Sequence, residues 1–126
     1  MHSYMADEKL RKQERLLRSA QFEAVFDARL SAGNKWLTLH WRDNGLGHPR
    51  LGLVVSRKFG NAVARNRFKR RIREFFRRNK SMADSLDLVV LPARGAGAAN
   101  ATFEETRDAF LKLLRAASER QGHARV

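Results

Sequence analysis

The chain has 126 residues, 43% of them apolar and 31% charged, which suits one compact domain and is too short for two separately cored ones. Lysine and arginine number 26 against 13 acidic residues, a net charge of +13, and such an excess indicates a polyanionic partner, either nucleic acid or an anionic membrane surface. The absence of cysteine excludes disulfides, cysteine zinc sites, iron–sulfur clusters and thiol nucleophiles.

No stretch of the sequence has the apolar length of a membrane span or a signal peptide. The longest apolar run covers residues 88–91, whereas a span needs about 20 residues. Residues 1–15 are too highly charged for a signal peptide. We therefore expect a soluble, cytoplasmic protein with one domain at residues 16–118 and mobile tails at residues 1–15 and 119–126.

The first predicted elements are a short helix and two strands. Phe22 and Phe26 lie on one face of a helix that begins near residue 19. Alternation of polar and apolar residues predicts a strand at residues 35–42, and the turn-rich segment after it predicts an antiparallel partner at residues 50–56.

A long amphipathic helix follows, from a cap at Asn61 to about Asn79. Its apolar face contains Ala64, Phe68, Ile72, Phe75 and Phe76, and its opposite face contains Asn66, Arg70, Arg73 and Arg77. Residues 86–91 predict a buried strand, and the intervening helix favours a parallel crossover connection to the previous strand. Thr102 and Glu105 have the spacing of a capping box and predict the start of a final helix.

The positive charge is concentrated in the middle of the chain. Residues 57–80 contain eleven basic residues and one acid, Glu74. Surface helices usually alternate the two signs so that neighbouring charges offset each other, and arginine offers bidentate donors for phosphate and a flat face for stacking on bases. This block therefore predicts nucleic-acid binding.

Residues 60–78 read GNAVARNRFKRRIREFFRR and include the triplet Arg65, Asn66 and Arg67. This segment, together with LRSAQFEAVF, HPRLGLVVSRK, DLVVLPARGA and TFEET, resembles the bacterial ribonuclease P protein component. The resemblance covers about residues 16–116 in the family's order and spacing.

The resemblance implies an α/β (α+β) sandwich with a central, mostly antiparallel sheet flanked by helices. It also implies that the basic helix lies in a left-handed crossover, opposite to the usual hand. In this family a catalytic RNA subunit, with its Mg²⁺ ions, removes the 5′ leader of precursor tRNA by hydrolysing a phosphodiester. The protein subunit binds that RNA and the leader, which gives it ribonuclease P RNA and precursor tRNA as partners.

Two sets of binding residues carry over by position. The family's RNA-subunit-binding residues correspond to Arg65, Asn66, Arg67, Lys69, Arg70, Arg73 and Arg77. Its leader-binding residues correspond to Phe22, Phe26, Thr38, His40, Arg57 and Lys58. His40 stands where relatives can have tyrosine and Thr38 where they can have a larger aliphatic residue, so stacking there rests on the imidazole or on Trp36.

The pair Phe22 and Phe26 is also compatible with ordinary core packing. Aromatic rings beside a cationic groove are a common way to bind single-stranded nucleic acid. Both interpretations hold together if the pair lies at the edge of the core and lines an open cleft.

The sequence indicates no catalytic or metal-binding side chains in the protein itself. Its four histidines lack the spacing of metal ligands. Asp84 and Asp87 are more typical of solvated turn residues than of a two-metal nuclease, and no glycine pattern fits a phosphate-binding loop.

Two other functions remain open. A small ribosomal or ribosome-assembly protein would share the charge and size but would not need an aromatic cleft beside the basic helix. A helix-turn-helix DNA-binding protein fits less well, because the basic helix stands between strands and not after a short helix. We expect neither DNA nor a membrane as a partner.

Overall fold

The structure, a computed structural model, describes residues 10–95 and 97–125, with side chains up to residue 122. Its sheet has four strands, β1 (Ser31–Gly33), β2 (Leu37–Asp43), β3 (Arg50–Leu53) and β4 (Leu86–Pro92). In space they follow the order β1-β2-β4-β3. Strand β2 runs antiparallel to β1 and β4, whereas β3 runs parallel to β4. The predicted mixed fold with a mostly antiparallel sheet is confirmed.

The predicted pairing of residues 35–42 with residues 50–56 is wrong. Strand β4 lies between β2 and β3 and pairs with both. Its residues 86–90 are buried without interruption, and a strand that is apolar on both faces takes an interior position in a sheet. The antiparallel neighbour of β2 on its other side is β1, a short strand of small residues that no hydrophobic pattern signals.

The predicted parallel crossover from β3 to β4 is confirmed, and its left-handedness stays a prediction. The helices are α1 (Ser19–Asp27), α2 (Ala62–Arg78), α3 (Lys80–Ala83) and α4 (Phe103–Arg125). The Asn61 side chain accepts a hydrogen bond from the Ala64 N–H at 2.9 Å, as predicted for the cap of α2. The capping box of Thr102 and Glu105 is also confirmed, with bonds of 2.9 and 3.0 Å.

Alternate residues of the strands face opposite sides of the sheet, and different helices cover the two faces. On one face, β2 and β4 join α2 and α4 in a larger core that includes Leu37, Leu39, Trp41, Leu88, Val90, Phe68, Ile72, Phe76, Phe110 and Leu114. On the other face, Val89 of β4 packs with Val25 of α1 and with Leu16. Helix α1 therefore packs on the second face, together with Leu16 from the segment before it.

Ordered packing extends into both segments that were expected to be tails. Leu10 is buried in the larger core, and the Leu16 N–H donates to the Leu51 carbonyl at 3.0 Å, so residues 10–16 lie along the edge of β3. Helix α4 continues to residue 125. Residues 1–9 lie outside the described part of the chain. Among the helices of the described residues, none is long and apolar enough to cross a bilayer.

Candidate RNA interface

Helix α2 buries its apolar face, and its basic side chains are exposed or half-buried. Some of the cations already have partners, because Arg77 and Arg78 both pair with Glu74, at 2.8 and 2.7 Å, and Arg65 and Arg71 donate to backbone carbonyls. The other four make neither an ion pair nor a hydrogen bond within the described residues. They belong to the set predicted to bind the RNA subunit and are Arg67, Lys69, Arg70 and Arg73.

The three residues of the Arg65, Asn66 and Arg67 triplet have different surroundings. The Arg65 guanidinium donates to the Gly60 carbonyl at 2.7 Å and so braces the turn before the helix. Asn66 and Arg67 are exposed. The side chains of Asn66 and Arg67 are therefore accessible to a partner. The Arg65 guanidinium is held in place by its hydrogen bond but has other N–H groups that can donate.

The charges on α2 repel one another. Burial lowers the pKa of Arg73, and the positive charges of Arg15 and Arg70 lower it further. On another side of the helix, burial and the charge of Arg67 lower the pKa of Arg71, although Glu104 acts in the opposite direction. A polyanion at this surface would relieve this repulsion, since each cation would gain a negative neighbour.

A cavity of about 490 Å³ lies between residues 10–16, β3 and α2. Three cations line it, Arg15, Lys69 and Arg73, together with apolar residues that include Phe22. Arg15 was not predicted as a site residue, because it lies in a segment that the sequence marks as a tail. Its side chain donates to the Leu10 carbonyl at 2.9 Å. Leu10 is buried in the larger core, and as an apolar residue in a charged segment it was the signal in the sequence that this segment packs.

The two phenylalanines of α1 contact different parts of the sheet. Phe22 is half-buried, packs in the smaller core cluster and lines the cavity beside Lys69 and Arg73. Phe26 is 37% exposed, and its ring lies 4.8 Å from the His40 ring in an edge-on arrangement at 74°. Phe22 thus packs at the edge of the core and Phe26 lies at the surface. Core packing and an open aromatic surface are therefore both present in this pair.

Thr38 and His40 are half-buried on the face of β2 that carries α1. Burial lowers the pKa of His40, which favours the neutral imidazole at pH 7. Trp36 packs against the larger core and near Gly97, with the Lys35 ammonium 4.8 Å from its ring centre. The imidazole, and not Trp36, is therefore the ring that the structure brings to Phe26.

Arg57 and Lys58 lie in a short exposed 3₁₀ turn after β3. Lys58 lines a second, open cavity of about 690 Å³ together with Leu91 and Arg94. Leu91 is also the partner of Thr38 across β2 and β4, so this cavity continues the sheet face of Thr38. Arg94 is a cation of this surface that the sequence analysis missed.

The six predicted leader-binding residues thus form three groups and not one compact cluster. Phe26 contacts His40, which shares β2 with Thr38. Phe22 lines the first cavity with Lys69 and Arg73. Arg57 and Lys58 follow β3, and Lys58 shares the second cavity with Arg94.

The carboxylates of the described residues do not form a metal centre. No group of three or more histidine, aspartate and glutamate residues in this part of the chain could hold a metal ion. Asp87 is fully buried and not the solvated turn residue that was expected. It accepts hydrogen bonds from Arg50 at 2.8 and 2.7 Å and from Asn44 at 2.8 Å, so its role is to hold the strands together.

Comparison with known proteins gives a consistent result. The profile of the family described as Ribonuclease P matches residues 10–118. The ribonuclease P protein component of Thermotoga maritima is 38% identical over 111 residues, which are 86% of this chain and 95% of that protein.

Two solved structures agree with it. An RNase P protein structure from Staphylococcus aureus superposes with a TM-score of 0.76 at 31% identity, covering 82% of this chain and 94% of that one. The RNase P protein from T. maritima superposes with a TM-score of 0.73 at 39% identity, covering 81% and 96% of the two chains.

Proposed function

Because this chain belongs to the ribonuclease P protein family, and is therefore a component of an RNA–protein endoribonuclease of tRNA processing, we propose that it has two binding surfaces for two RNAs. Helix α2 binds the catalytic RNA subunit. The sheet face beside α1 binds the 5′ leader of precursor tRNA. We place the protein in the cytoplasm, where both RNAs are made in a bacterium.

The observation that carries this proposal is the set of four α2 cations that make neither an ion pair nor a hydrogen bond among the described residues, Arg67, Lys69, Arg70 and Arg73. A helix that only needed solubility would pair its cations with nearby acids. Phosphate groups satisfy lysine and arginine without an acidic side chain. Arg15 supports the same surface, since it faces Lys69 and Arg73 across the first cavity.

The leader-binding part rests on the pair Phe26 and His40. Exposed rings stack on nucleobases regardless of sequence. Phe26 keeps 37% of its surface exposed, and its ring makes an edge-on contact with the His40 ring. Lys58 and Arg94 supply positive charge further along the same side, where both line the second cavity, and Arg57 precedes Lys58 in the exposed 3₁₀ turn. A single strand that follows this face meets an aromatic pair first and cations after it.

Phosphodiester hydrolysis is assigned to the RNA subunit and its Mg²⁺ ions, which activate water and stabilise the leaving oxygen when bound. Within the described residues no group of three or more histidine, aspartate and glutamate side chains could hold such ions, and Asp87, Glu74 and Glu14 are each held by arginine or lysine. The protein contributes affinity and orientation of the substrate.

The test is cleavage of precursor tRNA by the catalytic RNA at low Mg²⁺, with and without this protein. We expect cleavage to require both components, and the protein to increase the preference for precursor over mature tRNA. Cleavage by the protein alone would contradict the assignment of catalysis. A protein that bound RNA but left this preference unchanged would contradict the binding of the leader.

A further inference from the structure

Gly52, in β3, lies directly beneath a ring of α1. A Cβ atom at this position would lie 2.6 Å from Cε2 and 2.8 Å from Cζ of Phe22, and 3.0 Å from Cδ1 of Leu16. Carbon atoms in contact prefer a separation of about 3.5–4.0 Å. The phenyl ring thus occupies the space that any other residue would fill with its side chain.

Packed residues bound the ring on two sides, and its third side faces the first cavity. Val25, one turn along the same face, is fully buried against Val89, which is the partner of Gly52 across β3 and β4. On the other side, Leu16 is held by its backbone hydrogen bond to Leu51. A methyl group at position 52 would therefore push the ring by about 1 Å toward the first cavity, which the ring also lines, and the backbone of the short helix that carries the ring would shift with it.

That displacement reaches the aromatic pair. Phe26 lies four residues after Phe22, one helical turn further on, and its ring meets His40 at 4.8 Å. A short helix moves as a unit, so a shift at Phe22 changes the approach of Phe26 to His40.

We propose that Gly52 is a positioning residue for leader binding: its lack of a side chain seats Phe22 against β3 and so holds Phe26 against His40. This inference rests on the proposed binding of the leader. Gly52 itself touches no RNA.

A double-mutant cycle tests the proposal in the assembled holoenzyme. The four proteins are the parent, Gly52→Ala, Phe22→Leu and the double variant, and leucine lacks the Cε2 and Cζ atoms that a methyl would meet. The readout is the ratio of KM for precursor tRNA to the inhibition constant of mature tRNA, with affinity for the catalytic RNA measured alongside. We expect Gly52→Ala to weaken precursor preference about tenfold in the parent and less than about twofold in the Phe22→Leu background.

Gly122→Ala is the control. It also adds a methyl to a glycine, but on α4, where no atom lies within 4 Å of the added carbon. We expect this variant to match the parent in precursor preference.

Equal losses from Gly52→Ala in the parent and in the Phe22→Leu background would overturn the proposal, because Gly52 would then not act through the ring. Should Gly52→Ala alone fail to fold by circular dichroism, the comparison of Phe22→Leu with the double variant still decides. A double variant that misfolds, or that prefers precursor less than Phe22→Leu does, overturns the proposal. A parent protein that gives no precursor preference over the RNA alone would instead refute the leader-binding function itself.

Discussion

His40 is the titratable residue of the aromatic pair, and burial lowers its pKa from the ordinary value of 6.5. The unfolded chain then binds more protons than the folded one between the two pKa values, so this residue's contribution to stability rises with pH through that window and is lost on acidification. We expect His40→Gln to remove this slope. Urea unfolding of parent and variant near pH 5 and near pH 7.5 measures it, and a stability difference that does not change with pH would contradict the prediction.

Asp87 is a buried carboxylate near the start of β4, and its role is structural. Its side chain has no solvent exposure and Arg50 binds both its oxygens, while Arg42 lies 3.5 Å away. The hydrogen bonds to Asp87 raise the pKa of Arg50. The three residues belong to β4, β3 and β2, so this cluster ties the central strands together.

Arg50→Met should therefore destabilise the fold by about 3–5 kcal/mol, because it removes both guanidinium hydrogen bonds from the buried Asp87 charge and leaves it with Arg42 at 3.5 Å and the Asn44 amide at 2.8 Å. The matched control is Arg107→Met, since Arg107 pairs with Asp108 at the surface at 3.2 Å. Removal of such an exposed pair costs about 0–1 kcal/mol. Chemical denaturation of both variants gives the comparison, and equal losses would refute the structural role of Asp87.

At the scale of elements, α2 separates packing from binding on its two sides. Phe68 and Ile72 hold it to the core, and Arg70 and Arg73 lie away from these two residues. The pKa of Arg73 is lowered by burial and then by the charges of Arg15 and Arg70. Loss of these two cations would remove repulsion and leave the core intact.

Replacement of Arg70 and Arg73 together by Ala should weaken binding to the catalytic RNA by about 1–3 kcal/mol. Stability should change by less than about 0.5 kcal/mol or increase slightly. The control with the same loss of charge is the replacement of Lys112 and Arg115, both exposed on α4, by Ala. Filter binding or calorimetry compares the two pairs, and equal weakening would show that only net charge matters and not α2.

For the whole molecule, the net charge of +13 makes RNA binding an ion-exchange reaction. Neutralisation of about five phosphates predicts a slope of roughly −4 for the logarithm of the binding constant against the logarithm of salt concentration. Titrations at several salt concentrations measure this slope. A flat response would contradict phosphate binding, and the double variant of α2 should have a slope shallower by about 1–2.

Local patterns were sufficient to predict α2. The spacing of Phe68, Ile72 and Phe75, the cap at Asn61 and the concentration of arginine all depend on residues within a few helical turns. The same holds for the capping box of Thr102 and Glu105, and for the buried character of β4. Interactions of this kind have short range, so a single sequence is enough to predict them.

The tertiary structure alone decided which segments meet. Strand β4, and not β3, pairs with β2, because both faces of β4 are buried and a strand of this kind is most stable inside the sheet. The alternation of polar and apolar residues in β2 and β3 does not indicate which strand becomes the neighbour of β2. Arg15 joins Lys69 and Arg73 only because Leu10 and Leu16 are buried. The sequence places Phe22 and Phe26 on one face of a helix, yet in the structure the Phe22 ring packs over Gly52 and the Phe26 ring contacts His40. The sequence by itself determined the charge, the family resemblance and every helix and strand except β1 and the short α3, whereas contacts between residues distant in the chain depend on the packing of all elements at once.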